Sequence, residues 1–382
     1  MKKFFQSIMT ATTAAVVVAG AARADAAGAV ATYKSWPMHR GGPELLGVAP
    51  GRLPASLKQL WKFKTDDVIT SSAAIVDGKV YVGSHNGKVY ALNLTNGGRL
   101  WEHETDGPIE SSPLVLGDKV YIGSSDGFLY ALEAATGKLA WKFETEDKIL
   151  GAPNWMKSPD RKGTWIVFGS YDFRLYAVDS ETGKQVWNYE SENYINGSAA
   201  VSDGKTVFGG CDALLHVIAL KDGSQLKEID AEAYIAGSAA VTDGRVYVGH
   251  YENEFLCFDI EKGEIVWRYD ESRFPYYASP AVTDQRIFVG GRDKRVHCLD
   301  RKTGKLIWKF STRGKVDSSP VVIDDKVVFG SEDGRVYIVS EKDGKELWNY
   351  EIGEPITASP AVADKTVVIG SEDGTVYAFG PK

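Results

Sequence analysis

Cysteine is scarce in this chain of 382 residues: Cys211, Cys257 and Cys298 are the only three, and no two lie close together. An odd, dispersed set gives no disulfide framework. The six histidines, His39, His85, His103, His216, His250 and His297, are scattered without the spacing of a metal-binding motif. No glycine loop of the phosphate-binding kind occurs. Positive charge is also short. Against 51 acidic residues stand 44 lysines and arginines, spread among the acids, for a net charge of −7. Nucleic acid is therefore excluded as a partner, because phosphate binding needs a basic face. After the first 24 residues no stretch approaches the ~20 apolar residues of a membrane helix, so no transmembrane segment is expected.

Those first 24 residues differ from the rest. Lys2 and Lys3 open the chain, Ile8 to Ala22 is small and apolar, and Ala22-Arg23-Ala24 offers a small-x-small cleavage pattern. This is the layout of a signal peptide. No cysteine comes after it to carry a lipid, so the expectation is an exported, periplasmic or secreted protein without a lipoprotein anchor. Three segments result: a signal peptide at 1–24, a lead-in at 25–59 whose Trp36 packs over the main body, and a repeat array at 60–382.

What is abundant is glycine, 40 residues, much of it in Asp-Gly, Asn-Gly and Gly-Asp pairs that mark tight turns. Tryptophan marks the period. Trp61, Trp101, Trp141, Trp187, Trp267, Trp308 and Trp348 are separated by 40, 40, 46, 80, 41 and 40 residues. The double step hides a unit in which Leu226 is expected at the tryptophan position. Eight units of about 40 residues belong to a propeller or a helical solenoid. The interior of each unit decides. From Ser318 to Tyr350, short runs of Val, Ile, Tyr and Phe are split by the two-residue turns Asp324-Asp325 and Asp333-Gly334. That is strand and hairpin chemistry, four strands to a unit.

The expected fold is all-β: an eight-bladed β-propeller of four-stranded antiparallel blades. The first three strands of each blade fall at about 70–93, 110–133, 150–179, 195–219, 235–259, 277–300, 317–340 and 357–379. The last unit lacks a fourth strand, and Leu60-Trp61-Lys62-Phe63 precedes the first. The N-terminal strand should complete the last blade and close the ring, covering two sheet edges.

Between third and fourth strands most units carry Ala-x-Asp-x-x-Thr-Gly-x-x-x-Trp, as in Ala177 to Trp187 and, with drift, Cys298 to Trp308. This resembles the tryptophan-docking motif of the PQQ-like propeller family, which includes quinoprotein alcohol dehydrogenases and BamB-type outer-membrane assembly factors. The likeness covers residues 60–380. Glycine allows the turn, Asp and Thr bond its backbone, and the Trp ring packs on the neighbouring blade. Burying ~200 Å² of ring at ~25 cal/mol/Å² is worth at most about 5 kcal/mol per tryptophan. In the fourth unit Ala219 replaces the Asp, so its docking should be weakest. Cys257 and Cys298 stand at the motif's alanine and should be buried, whereas Cys211 lies in a turn.

The resemblance to quinoproteins implies a quinone, a calcium or lanthanide ion and an Asp base. It also implies a vicinal cysteine pair and a much longer chain, both missing here. No cofactor is therefore predicted. PQQ with calcium enters only under the alternative of a small quinoprotein dehydrogenase or other redox enzyme, with Glu110, Asn196 and Asp317 as its ion-and-base set.

A binding site should appear as deviation among repeats. The residues Thr70, Glu110, Leu150, Asn196, Ala236, Tyr277, Asp317 and Thr357 should ring the channel. Units two, seven and eight keep a Ser-x-Asp-Gly turn between second and third strands, and units three to six abandon it. Those four units carry Tyr171, Phe173, Cys211, His250, Tyr251 and Arg292 in the turns, and Tyr194, Tyr234, Phe274, Tyr276 and Tyr277 in the loops that approach the inner strands. Unit three adds an insertion from Asn154 to Trp165. The expected site is a tyrosine-rich surface over blades three to six: Tyr171, Phe173, Tyr194, Asn196, Tyr234, His250, Tyr251, Tyr276, Tyr277 and Arg292. Rings packed on one another would leave the same composition. The expected function is a non-catalytic, monomeric binding or scaffold propeller for a protein, a peptide or a polar small molecule in the cell envelope. The family likeness adds outer-membrane protein assembly as its context, and a carbohydrate- or polymer-binding propeller is the other alternative.

Overall fold

The computed structural model describes residues 35–381, and the signal peptide read at 1–24 lies outside the described residues. Eight antiparallel sheets succeed one another along the chain. In the second, the strands run Leu114–Leu116, Lys119–Gly123, Phe128–Glu133 and Leu139–Glu144 from the axis outward. Their burial explains their sequences. The two middle strands of each blade are covered on both faces by neighbouring blades, so Val120 to Ile122 and Leu129 to Leu132 are buried without alternation. The outer strand faces solvent on one side and alternates. Closure is as expected: Lys58–Lys64 pairs antiparallel with Thr375–Gly380, with Trp61 opposite Ala378.

Six of the seven outer-strand tryptophans lie on the turn glycine of the next blade. Gly183 has φ +67°, and a β-carbon there would meet the Trp141 ring at 2.7 Å. The indole N–H of Trp141 donates to the carbonyl of Ser180 at 3.0 Å. The same bond joins Trp61 to Leu94, Trp101 to Ala134, Trp187 to Leu220, Trp267 to Arg301 and Trp308 to Glu341. At the closing seam, where the chain breaks, Trp348 packs instead against Phe379, ring centres 5.5 Å apart.

The fourth blade corrects the sequence reading. Val217 stands opposite Lys227, where its counterpart Ala177 stands opposite Trp187. Lys227, not Leu226, holds the tryptophan's place, and Leu226 is exposed at 49%. The Lys227 stem lies over Gly263, and its ammonium donates to the Glu261 carbonyl.

The lead-in does more than pack Trp36, which is itself buried. It enters the end of the channel and bonds to the inner strands in succession. Trp36 exchanges two backbone bonds with Ile75. The carbonyls of Pro37, Pro43, Glu44, Leu46 and Gly47 then accept from Val115, Val201, Val241, Val282 and Val322 at 2.7–3.0 Å. Blade three joins through the Asn154 side chain, which donates to Pro43. Val48–Ala49 adds a parallel strand to the seventh blade, making that sheet five-stranded rather than four.

Trp141→Ala is expected to cost about 3–5 kcal/mol in denaturant unfolding, and Lys227→Ala no more than about 1 kcal/mol.

Candidate functional site

The plug leaves a blind funnel open at the other end. Its lining includes the rim residues Thr70, Glu110, Leu150, Asn196, Ala236 and Tyr277, a layer of serines below them, and His39 of the lead-in; it encloses about 190 Å³. The serines form a belt. The backbone N–H of Ser72 donates to the Ser112 hydroxyl, that of Ala152 to Ser198, and so on through Ser238, Ser279, Ser319, Ser359 and back to Ser72. These bonds are 2.9–3.2 Å long. The belt is interrupted only at blade three, where Ala152 supplies no hydroxyl.

Above the belt stand two rings of eight. The turn between second and third strands folds onto the approach loop of its own blade through one repeated backbone bond, His85 to Val68, Ser125 to Pro108, Tyr171 to Lys148 and onward to Glu372 to Pro355. In seven of the eight blades the turn residue follows the inner-ring residue by fifteen positions, and in blade three the insertion widens the step from Leu150 to Tyr171 to 21. Thr70 bonds His85 at 2.8 Å, Asn196 donates to the Cys211 sulfur at 2.8 Å, and Thr357 donates to Glu372 at 3.1 Å. Arg292 lies 3.8 Å over the Tyr277 ring and grips Asp317 with two nitrogens, the shorter bond 2.7 Å. His85, Glu332 and Glu372 were not singled out from sequence. The fifteen-residue spacing was the signal that points to them.

The outer ring differs around its circumference. Over blades three to six, Tyr171 stacks on Tyr194 at 4.8 Å, Phe173 meets Tyr194 edge-on at 5.1 Å, and Tyr251 lies 4.7 Å from Tyr277. The rings thus pack on one another and remain accessible: Tyr194 is 41% exposed, Tyr234 53%, Tyr251 41% and Phe274 51%. The same four turns place Phe173, Ala213, Asn253 and Lys294 at φ between 64° and 72°, where blades one, two, seven and eight have glycine. A non-glycine residue there carries strain of about 1 kcal/mol, most of all for the phenylalanine.

Two expected contact residues are not on this surface. Tyr276 is fully buried among Phe255, Tyr269 and His297. His250 takes the place of the turn serine, is 1% exposed, and lies 3.5 Å from Glu254. Burial lowers its pKa. Both point inward because loop residues beside the ring close the blade's core. The insertion of blade three also lies elsewhere: it lengthens the hairpin of Asn154–Lys157 and Thr164–Gly169, at the end of the blade away from the funnel.

The remaining chemistry is enclosed. His216 sits between Asp212 at 2.9 Å and the Tyr189 hydroxyl at 3.1 Å, and His297 between Asp293 at 3.0 Å and Tyr269 at 2.9 Å. Both imidazoles are 0% exposed, and these triads brace the blades. Gly123 to Gly127 spells Gly-x-Ser-x-Gly, but it is a hairpin turn that leads into a strand and not a helix, and the Ser125 hydroxyl bonds Glu110 at 3.5 Å. Cys257 and Cys298 are buried opposite Trp267 and Trp308, and burial pushes both thiols up to about 12. Glu110, Asn196 and Asp317 stand on blades two, four and seven, and Asp317 is already held by Arg292. Among the described residues no three His, Cys, Asp or Glu side chains converge as a metal cage. The funnel is smaller than the ~300–1,000 Å³ of ordinary cofactor pockets. These residues do not fit a multiply anionic quinone with its ion.

The family described as beta-alanine-activating enzyme, beta-propeller, matches residues 155–379, and that described as outer membrane protein assembly factor BamB matches residues 54–191. The chain belongs to this PQQ-like β-propeller family. A search of curated proteins returned no match. Among solved structures, BamB from Moraxella catarrhalis is similar at 21% identity and TM-score 0.71, covering 86% of this chain and 98% of that one. The quinohemoprotein alcohol dehydrogenase of Comamonas testosteroni aligns at 15% identity and TM-score 0.76, over 91% of this chain and 80% of that one. The designed protein Ika8 aligns at 18% identity and TM-score 0.76, over 85% and 100%. At such identities the likeness is one of fold.

The buried Asp–His pairs set a pH dependence. Burial, the largest influence on Asp212 and Asp293, acts upward, but the hydrogen bond and charge of the histidine outweigh it and hold each carboxyl below its usual value. A depressed carboxyl contributes stability above its unfolded pKa of ~3.9 and loses it as pH falls through the lower folded value. Thermal melts should show Asp212→Ala and Asp293→Ala destabilised by about 1–3 kcal/mol each at pH 7, the gap closing below about pH 4.

Proposed function

We propose that this chain is a non-catalytic binding propeller of the cell envelope, which holds a protein or peptide partner on the funnel face of blades three to six. One observation carries the reading. Four consecutive blades give up the turn glycine, accept left-handed strain at Phe173, Ala213, Asn253 and Lys294, and bear the exposed aromatic cluster on the same face. Strain concentrated beside accessible aromatics is what a recognition surface shows, because folding alone is better served by glycine. Tyrosine and arginine supply large, stiff contact area, the composition typical of binding hot spots.

The BamB likeness and the signal-like first 24 residues support an envelope setting, with outer-membrane protein assembly as the role. The quinoprotein reading has the fold in its favour and the funnel chemistry against it.

Tyr234→Ala and Tyr251→Ala should each weaken capture of the envelope partner about tenfold, or ~1.4 kcal/mol, with an unchanged melting temperature. Lys302→Ala, on a turn at the other face, serves as control and should bind like the parent. Affinity and melting temperature falling together in the tyrosine variants would mean that the rings serve packing alone.

A further inference from the structure

Beneath the funnel lies a charge that the fold leaves unanswered. Arg40, in the plug, is 2% exposed. Its guanidinium donates to three carbonyls, Pro320 at 2.6 Å, Pro280 at 2.8 Å and Ser319 at 3.1 Å, and its Nε has no partner. No carboxylate pairs with it among the described residues. Burial lowers its pKa to about 9, so it remains a cation at neutral pH. A buried cation facing only carbonyls is costly unless a counter-charge completes it.

The surroundings are arranged for such a counter-charge. Ser319, whose carbonyl accepts from Arg40, belongs to the serine belt. Ser72, Ser112, Ser198, Ser238, Ser279 and Ser359 line the funnel. Each of their hydroxyl oxygens accepts a backbone N–H, and none of these hydroxyls donates to another described residue. Their protons are free to turn toward a ligand. His39, beside Arg40 in sequence, lines the same floor, and its Nδ1 has no partner among the described residues. Burial first, and the Arg40 charge second, lower its pKa to about 3 and keep it neutral.

We propose that the funnel floor binds a carboxylate, held by the serine belt and His39 above the buried Arg40 guanidinium. Hydroxyl donors over a buried positive charge suit an acceptor-only group, and about 190 Å³ admits one or two residues of a peptide or a free acid of that size. Glu110 on the funnel wall has a serine contact at 3.5 Å and no ion pair among the described residues, so it opposes an anion passing the mouth and sets a size and charge filter there. This inference rests on the partner-binding reading and supplies its chemistry: the rim aromatics hold the chain, and the floor takes its acidic end.

The test is titration of the folded full chain with trialanine, trialanine C-terminal amide and N-acetylglycine, read by calorimetry and melting temperature. Trialanine should bind and raise the melting temperature, and its amide should bind at least about tenfold more weakly. Arg40→Gln should abolish the difference. Because that change could unfold the plug, Ser198→Ala and Ser238→Ala are measured beside it, each expected to weaken the acid about tenfold, and Glu110→Gln should strengthen it. N-acetylglycine binding as well as trialanine identifies a free acid as the ligand; tighter binding of trialanine identifies a chain terminus. Equal affinity of acid and amide, or no binding of either, overturns the floor site. If the Tyr234 and Tyr251 variants still lose their partner in that case, the partner-binding reading stands without it; if they do not, both fail.

Discussion

The contact on which this propeller depends is an indole ring pressed against a glycine that has no β-carbon to hold it off. At Gly97, Gly137, Gly183, Gly223, Gly304 and Gly344 an added methyl would lie 2.5–2.7 Å from the preceding blade's tryptophan. The ring buries its apolar face, and its N–H satisfies a turn carbonyl that would otherwise be covered without a partner. One contact thus fixes both the spacing and the angle between neighbouring blades. Six of the eight seams repeat it, which sets successive blades at like steps around the axis. Where Lys227 replaces the ring, a flexible stem covers the glycine. The seam between blades four and five, in the middle of the aromatic arc, thus has no indole ring over its glycine.

These like steps make the serine belt possible. A hydroxyl that accepts an N–H from the adjoining blade works only if each inner strand is displaced from the last by the same step. The plug uses that regularity too, offering carbonyls one after another to the same position of successive inner strands. Together they convert an open channel into a funnel with a floor. The function then resides in what the repeats do not share: the aromatic arc, the Glu110 carboxylate on the funnel wall, and the unpaired guanidinium below.

Much of this was legible in the residues. The period, the four strands and the ring closure stem from tryptophan, turn glycine and alternating apolar runs, all local signals. The tryptophan substitute was misplaced because a hydrophobic residue was sought there; counting four residues from Gly223 leads to Lys227, whose methylene stem does the covering. Tyr276 and Tyr277 could not be separated from sequence, since neighbouring loop residues point to opposite sides and only the packed blade shows which side is core. The path of the lead-in was hidden for a different reason. It is held by backbone carbonyls, which every residue possesses, so no side-chain pattern announces it. Arg40 lies in the lead-in, of which only Trp36 was expected to pack on the main body, and it is a deeply buried cation.

The central claim is that partners engage the funnel face on its aromatic arc. Amide hydrogen exchange of the full chain, with and without the bound partner, tests it most directly. The account predicts slowed exchange in the approach loops and turns of blades three to six, at 146–151, 170–173, 193–197, 210–213, 232–237, 250–254, 273–278 and 291–294, with the hairpins at the plugged end unchanged. Protection confined to the plugged end, or spread evenly over all eight blades, would contradict it.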